Sequence, residues 1–125
     1  MRSGKYEKGM SVRREVLGDE YVDSALKAAT DFTKPLQDLV TENCWGERWT
    51  RDTISKKTRS LVTIAILAAL KAPAELKLHV RGALRNGCTI EEIQEVLLQA
   101  TVYCGVPAGI DAFRAAKDII EDWDA

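Results

Sequence analysis

Apolar residues recur along this chain at spacings of three and four and nowhere alternate for long. That is the pattern of helices laid on a core, not of strands. A first helix is predicted to start at Gly18-Asp19 and to run from Val22 towards Thr41, with Pro35 kinking it or ending it early. A loop is expected over 44–52, carrying Trp45, Gly46 and Trp49. A long buried helix follows over 53–70, where the apolar run 61–70 is broken only by Thr63. The next helix begins near Pro73, a residue favoured in a first turn, and stops at Asn86-Gly87. Thr89-Ile90-Glu91-Glu92 reads as a capping box, with Ile90, Ile93, Val96, Leu97 and Ala100 as the apolar stripe behind it. Gly105-Val106-Pro107 opens a last helix along which Ile110, Phe113, Ile119 and Ile120 recur. The fold class is all-α: one helical domain over residues 1–125, with 1–20 as an N-terminal arm.

Composition narrows the classes. A chain of 125 residues with 46% hydrophobic and 30% charged residues can build a core without staples. Its formal net charge of -1 is wrong for a basic nucleic-acid binder. The run 61–70 is far shorter than the roughly 20 residues that cross a bilayer, and residues 1–10 are too polar for a secretory signal. Three cysteines, Cys44, Cys88 and Cys104, form no C-x-x-C pair, so free thiols and a cytoplasmic setting are expected. Charge is nevertheless uneven. Residues 47–88 hold nine Lys/Arg against three acids, whereas 111–125 hold five acids against two bases. The middle can attract an anion and the tail cannot.

The chemistry concentrates on the helix after Pro73. With Glu75 at zero and about 100° per residue, Leu76, Val80, Ala83 and Leu84 cover the core-facing arc. His79, the only histidine, falls at about 40° and Asn86 at about 20°, on the Glu75 side. A carboxylate four residues earlier can orient an imidazole and raise its pKa, which suits proton movement near neutral pH. Spacing alone reads first as a boundary histidine with an ordinary helical neighbour. One histidine and one acid are too few for a metal site.

Other residues carry weaker signals. Lys77, Arg81 and Arg85 form a charged row, and Leu78 projects among them, which hints at a second buried surface and an oligomer. Trp45 and Trp49 read first as packing anchors, and Tyr103 and Cys104 as core residues ahead of a Gly/Pro break. Arg51 and Arg59 stand before or at the start of the buried helix, where a guanidinium needs an acid of the fold or a substrate carboxylate.

Several stretches together resemble a known family. They are Thr58-Arg59-Ser60-Leu61, Glu75-Leu76-Lys77-Leu78-His79, Asn86-Gly87, Glu91-Glu92-Ile93 and Tyr103-Cys104-Gly105-Val106-Pro107. They look like the carboxymuconolactone decarboxylase family, which shares its helical fold with AhpD-type alkylhydroperoxidases. Residues 9–18 (GMSVRREVLG) and 45–51 (WGERWTR) resemble the branch of that family acting on 4-carboxymuconolactone. The AhpD-like redox branch carries a C-x-x-C with a histidine four residues after its second cysteine. Here Ala72 and Glu75 stand at those positions, so disulfide-based peroxidase chemistry lacks its thiols.

The resemblance implies loss of CO2 from 4-carboxymuconolactone to give β-ketoadipate enol-lactone, in the protocatechuate branch of aromatic catabolism. The electron pair left by CO2 can flow onto the lactone carbonyl, so the substrate is its own electron sink and no cofactor is required. It also implies His79 as proton donor or oxyanion partner and Glu75 as its orienting residue. Arg51 and Arg59 become carboxylate anchors, with Arg13 or Arg81 as further ones across a subunit boundary. Ser60, Trp45, Trp49 and Tyr103 become pocket residues. The expected partner is a small dicarboxylate lactone, and the expected assembly a homo-oligomer, hexameric or trimeric. A thiol peroxidase of the same fold, a family member acting on another lactone or carbonyl compound, and a non-catalytic helical oligomer are the alternatives.

Overall fold

The computed structural model describes residues 4–124, and among them there are helices and no strand. Two compact units divide the chain, one up to Ser55 and one from Lys56.

The first unit begins with α1 (Gly4–Leu17), a helix where an arm was expected, followed by α2 (Asp19–Ala28). Gly18, at φ 91°, makes the sharp turn between them in a backbone region that favours glycine. The helix predicted from Val22 towards Thr41 is interrupted at 29–33, and a new one, α3 (Lys34–Leu39), starts there. Pro35 lies in its first turn, where the missing N–H costs nothing, so it opens a helix instead of kinking one. A π-helical segment, Val40–Arg48, then replaces most of the expected loop. It packs closely on α1 through two glycines. A Cβ on Gly9 would collide with the Thr41 carbonyl, and one on Gly46 with the Lys5 carbonyl.

The second unit contains α4 (Lys56–Ala69), α5 (Pro73–Arg85), α6 (Ile90–Cys104) and α7 (Val106–Asp124). Its core joins Ile64 and Ala68 of α4, Leu76, Val80 and Ala83 of α5, Ile93 and Leu97 of α6, and Ala112, Ala115 and Ala116 of α7. The small side chains of α7 let it lie close to its neighbours. The Thr89 capping box is present: its hydroxyl accepts from the Glu92 amide while the Glu92 carboxylate accepts from the Thr89 amide. The α4 helix is not buried all round, because Val62 and Ile66 are 47% and 52% exposed. Leu78 is half-buried, so the unpartnered apolar surface lies on α4 and α6 instead of at Leu78. No described helix is long and apolar enough to cross a membrane.

Candidate active site

The rotation of α5 is set by its apolar stripe. Burial of Leu76, Val80 and Ala83 leaves His79 at the edge of the core, half-buried, with its Nδ1 shielded from solvent. Loss of hydration disfavours the imidazolium, so burial lowers the His79 pKa from 6.5 to about 4. The imidazole is therefore neutral at pH 7. This reverses the expectation of a raised pKa, for a plain reason. Glu75 is exposed, and among the described residues no hydrogen bond or ion pair joins it to His79. A solvated carboxylate screened by water does not offset the desolvation of its neighbour.

At the other end of α5, Asn86 follows the last turn, and Gly87 at φ 92° releases the chain. The Asn86 Nδ2 donates to Ser60 Oγ across 2.9 Å, joining the end of α5 to the start of α4. Ser60 is fully buried, which makes its hydroxyl a tie between helices and not a pocket wall. Arg59, its neighbour, is half-buried in the first turns of α4 with its Nε shielded from water. The bond between Ser60 and Asn86 thus places Arg59 at one end of the α4–α5 pair. His79 lies seven residues before Asn86, about 10 Å along the same helix.

Tyr103 lies elsewhere in this unit. It is 80% exposed and, with Thr58, Leu61, Val62, Ala65 and Cys104 among others, lines a largely apolar cleft of about 500 Å³. None of His79, Arg59 and Ser60 lines that cleft. An apolar wall is a costly place for two carboxylates.

Three of the expected site residues belong to the first unit. Trp45 and Trp49 are buried, with ring centroids 4.9 Å apart at 30°, and so act as packing anchors. Arg51 is exposed and borders a groove with Lys5, Lys8, Glu42, Glu47 and Thr50. All three cysteines are free: Cys44 and Cys104 are exposed, Cys88 is buried. Among the described residues no group of three His, Cys, Asp or Glu side chains is placed to hold a metal ion. The residue that pattern reading undervalued is Asn86, whose position on the His79 side of α5 was visible but whose partner, 26 residues away, was not.

Residues 34–118 match the profile of the Carboxymuconolactone decarboxylase family, and the chain belongs to that family. It is 47% identical over 117 residues to the nitrosuccinic acid decarboxylase of Metarhizium robertsii, covering 94% of this chain and 82% of that one. It is 39% identical over 118 residues to the 4-carboxymuconolactone decarboxylase of Acinetobacter baylyi, covering 94% and 88%. A third relative, the 4-carboxymuconolactone decarboxylase of Pseudomonas putida, is 42% identical over 43 residues, covering 34% of this chain and 90% of that one.

Proposed function

We propose that this chain is a carboxy-lyase that removes CO2 from 4-carboxymuconolactone, using the lactone of the substrate as electron sink. The observation that carries the reading is the neutral, half-buried His79 of a chain that is 39% identical to a decarboxylase of that substrate. The bond from the ring carbon to its carboxylate breaks and CO2 leaves. The electron pair moves through the ring double bond onto the lactone carbonyl oxygen. The dienolate then takes a proton from water at the ring carbon next to the carbonyl, which gives the enol-lactone.

A neutral imidazole cannot surrender its N–H proton to carbon without becoming imidazolate. Of the two roles open to His79, hydrogen-bond donor to the developing oxyanion is the one its protonation state supports. Arg59, at the end of the same helix pair, is the carboxylate anchor, since a guanidinium matches a carboxylate with two parallel N–H donors. Ser60 and Asn86 are positioning residues that hold α4 against α5. Glu75 has no part in this reading, nor does it draw on Arg51, Trp45 or Trp49.

The 47% identity to a nitrosuccinic acid decarboxylase favours a second reading. Nitrosuccinate also loses a carboxylate from a carbon attached to an electron sink, here a nitro group that becomes a nitronate. Both molecules contain a succinate unit in which the departing carboxylate and a CH2-carboxylate share one carbon. One arrangement of anchor and oxyanion donor serves either, and the sink selects between them. Measuring kcat/KM for CO2 release from each substrate decides. Faster release from the lactone supports the first reading, and a preference for nitrosuccinate establishes the second.

The exposed Val62 and Tyr103 that line this cleft, with Ile66 one turn along α4 from Val62, support a homo-oligomer in which another copy covers this face. Sedimentation equilibrium tests it: a monomer at micromolar concentration would contradict it.

A further inference from the structure

The first turn of α4 carries Lys56, Lys57 and Arg59 and no acidic residue. Three cations at a helix N-terminus oppose the helix dipole, so the turn that holds Arg59 is not one its own sequence favours. The missing negative charge comes from α6. Glu92 Oε1 lies 3.1 Å from Lys57 Nζ, and the same oxygen accepts the Thr89 amide at 2.9 Å. Both donors favour the carboxylate, the Thr89 amide more than Lys57, and they hold its pKa below the ordinary value.

Two further bonds reach the same turn from the segment that joins α5 to α6. Cys88, which is buried, donates its thiol to the Lys57 carbonyl across 3.4 Å. Burial holds that thiol above its ordinary pKa, which keeps the S–H proton in place as a donor. Asn86 holds Ser60. Arg59 thus sits between two residues that are each tied to the stretch 86–92. The Lys57–Glu92 pair is partly in water, at 42% and 38% exposure, where an ion pair contributes little to stability. What it fixes is direction. Helix ends fray, and a frayed first turn has no set direction in which to project a side chain.

We propose that Lys57 and Glu92 are positioning residues for the reaction: their ion pair holds the first turn of α4 so that the Arg59 guanidinium meets the substrate carboxylate. The inference rests on Arg59 being the carboxylate anchor of the activity proposed above, and both residues act through it. An anchor that grips ground state and transition state alike is felt in KM and leaves kcat unchanged.

The test compares Lys57→Met, Lys57→Arg and Glu92→Gln with wild type in the full chain, on the lactone and on nitrosuccinate. Glutamine at 92 still accepts the Thr89 amide, so the capping box and α6 are kept. Lys57→Met and Glu92→Gln change the local charge in opposite directions. Charge alone, acting on an anionic substrate, would raise KM in the first and lower it in the second. Lost positioning should raise KM several-fold in both, with kcat and Tm close to wild type, while Lys57→Arg, which keeps the pair, stays near wild type. In an Arg59→Met background neither substitution should add to the loss. The Arg59 Nε–H resonance, identified by its absence from Arg59→Met, should shift or broaden in Lys57→Met and Glu92→Gln with no substrate present. That readout needs no turnover, so it separates the positioning role from the reaction. KM values that move in opposite directions, or an Nε–H resonance that neither substitution moves, would overturn the positioning role. An Arg59→Met enzyme with the KM of wild type would instead overturn the anchor on which that role rests.

Discussion

Asn86 donates its side-chain N–H to Ser60 Oγ across 2.9 Å, and this bond ties the end of α5 to the start of α4. Because Ser60 is fully buried, its hydroxyl has no water to fall back on when the donor is removed. Asn86→Leu should cost about 1–3 kcal/mol in urea unfolding. Removing both partners, as Ser60→Ala with Asn86→Leu, should cost less than the sum of the single losses. Strictly additive losses would show that the two side chains do not depend on each other.

The half-buried imidazole makes stability depend on acidity in a defined window. The pKa of His79 is near 6.5 in the unfolded chain and about 4 in the folded one, so the unfolded state binds the extra proton between those values. Stability is therefore fully present above pH 6.5 and is lost as pH falls towards 4. The loss attributable to this group is about 2 kcal/mol, allowing for its partial exposure. His79→Leu should be spared that part of the decline when unfolding is compared at pH 7 and pH 4.5. Identical declines in the two proteins would place the acid sensitivity elsewhere.

The seam between α1 and the π-helical segment depends on the absence of side chains at Gly9 and Gly46. A methyl group at Gly9 meets backbone, which cannot swing aside as a flexible side chain would. Gly9→Ala should lower unfolding free energy by about 2 kcal/mol or more, by displacing α1. A shift in Tm within error of zero would mean that the seam is looser than described.

The second unit was largely legible in the sequence, and the first was not. Pro73, Asn86-Gly87 and the Thr89–Glu92 capping box are local signals that need no distant partner, and the helices start and stop where they lie. The α1 stretch, GKYEKGMSVRREVL, has few apolar residues and two glycines. Its helix is held by close backbone contact with residues some 37 positions away, Gly9 with Gly46, which periodicity cannot register. The π-helical segment was read as a loop for the same reason: Trp45, Gly46 and Trp49 punctuate it, yet the tryptophans are buried against each other. In the site, helical spacing put Asn86 on the His79 side of α5 but could not show its bond to Ser60. Spacing also put Glu75 beside His79, but a shared face is not a contact, and the carboxylate stays in water. Solvation, not spacing, sets the charge of that histidine.

The most direct measurement is turnover of 4-carboxymuconolactone, generated in place from protocatechuate, by wild type, His79→Gln and His79→Leu across pH 5.5–8. Wild type should release CO2 with a kcat that is flat in this range, because a neutral imidazole is the working form. His79→Leu should lose about a hundredfold or more in kcat, and His79→Gln, which keeps an N–H donor, should retain part of it. A His79→Leu enzyme with near-wild-type turnover would contradict the role given to this residue. Absence of turnover by wild type on both the lactone and nitrosuccinate would contradict the proposed reaction itself.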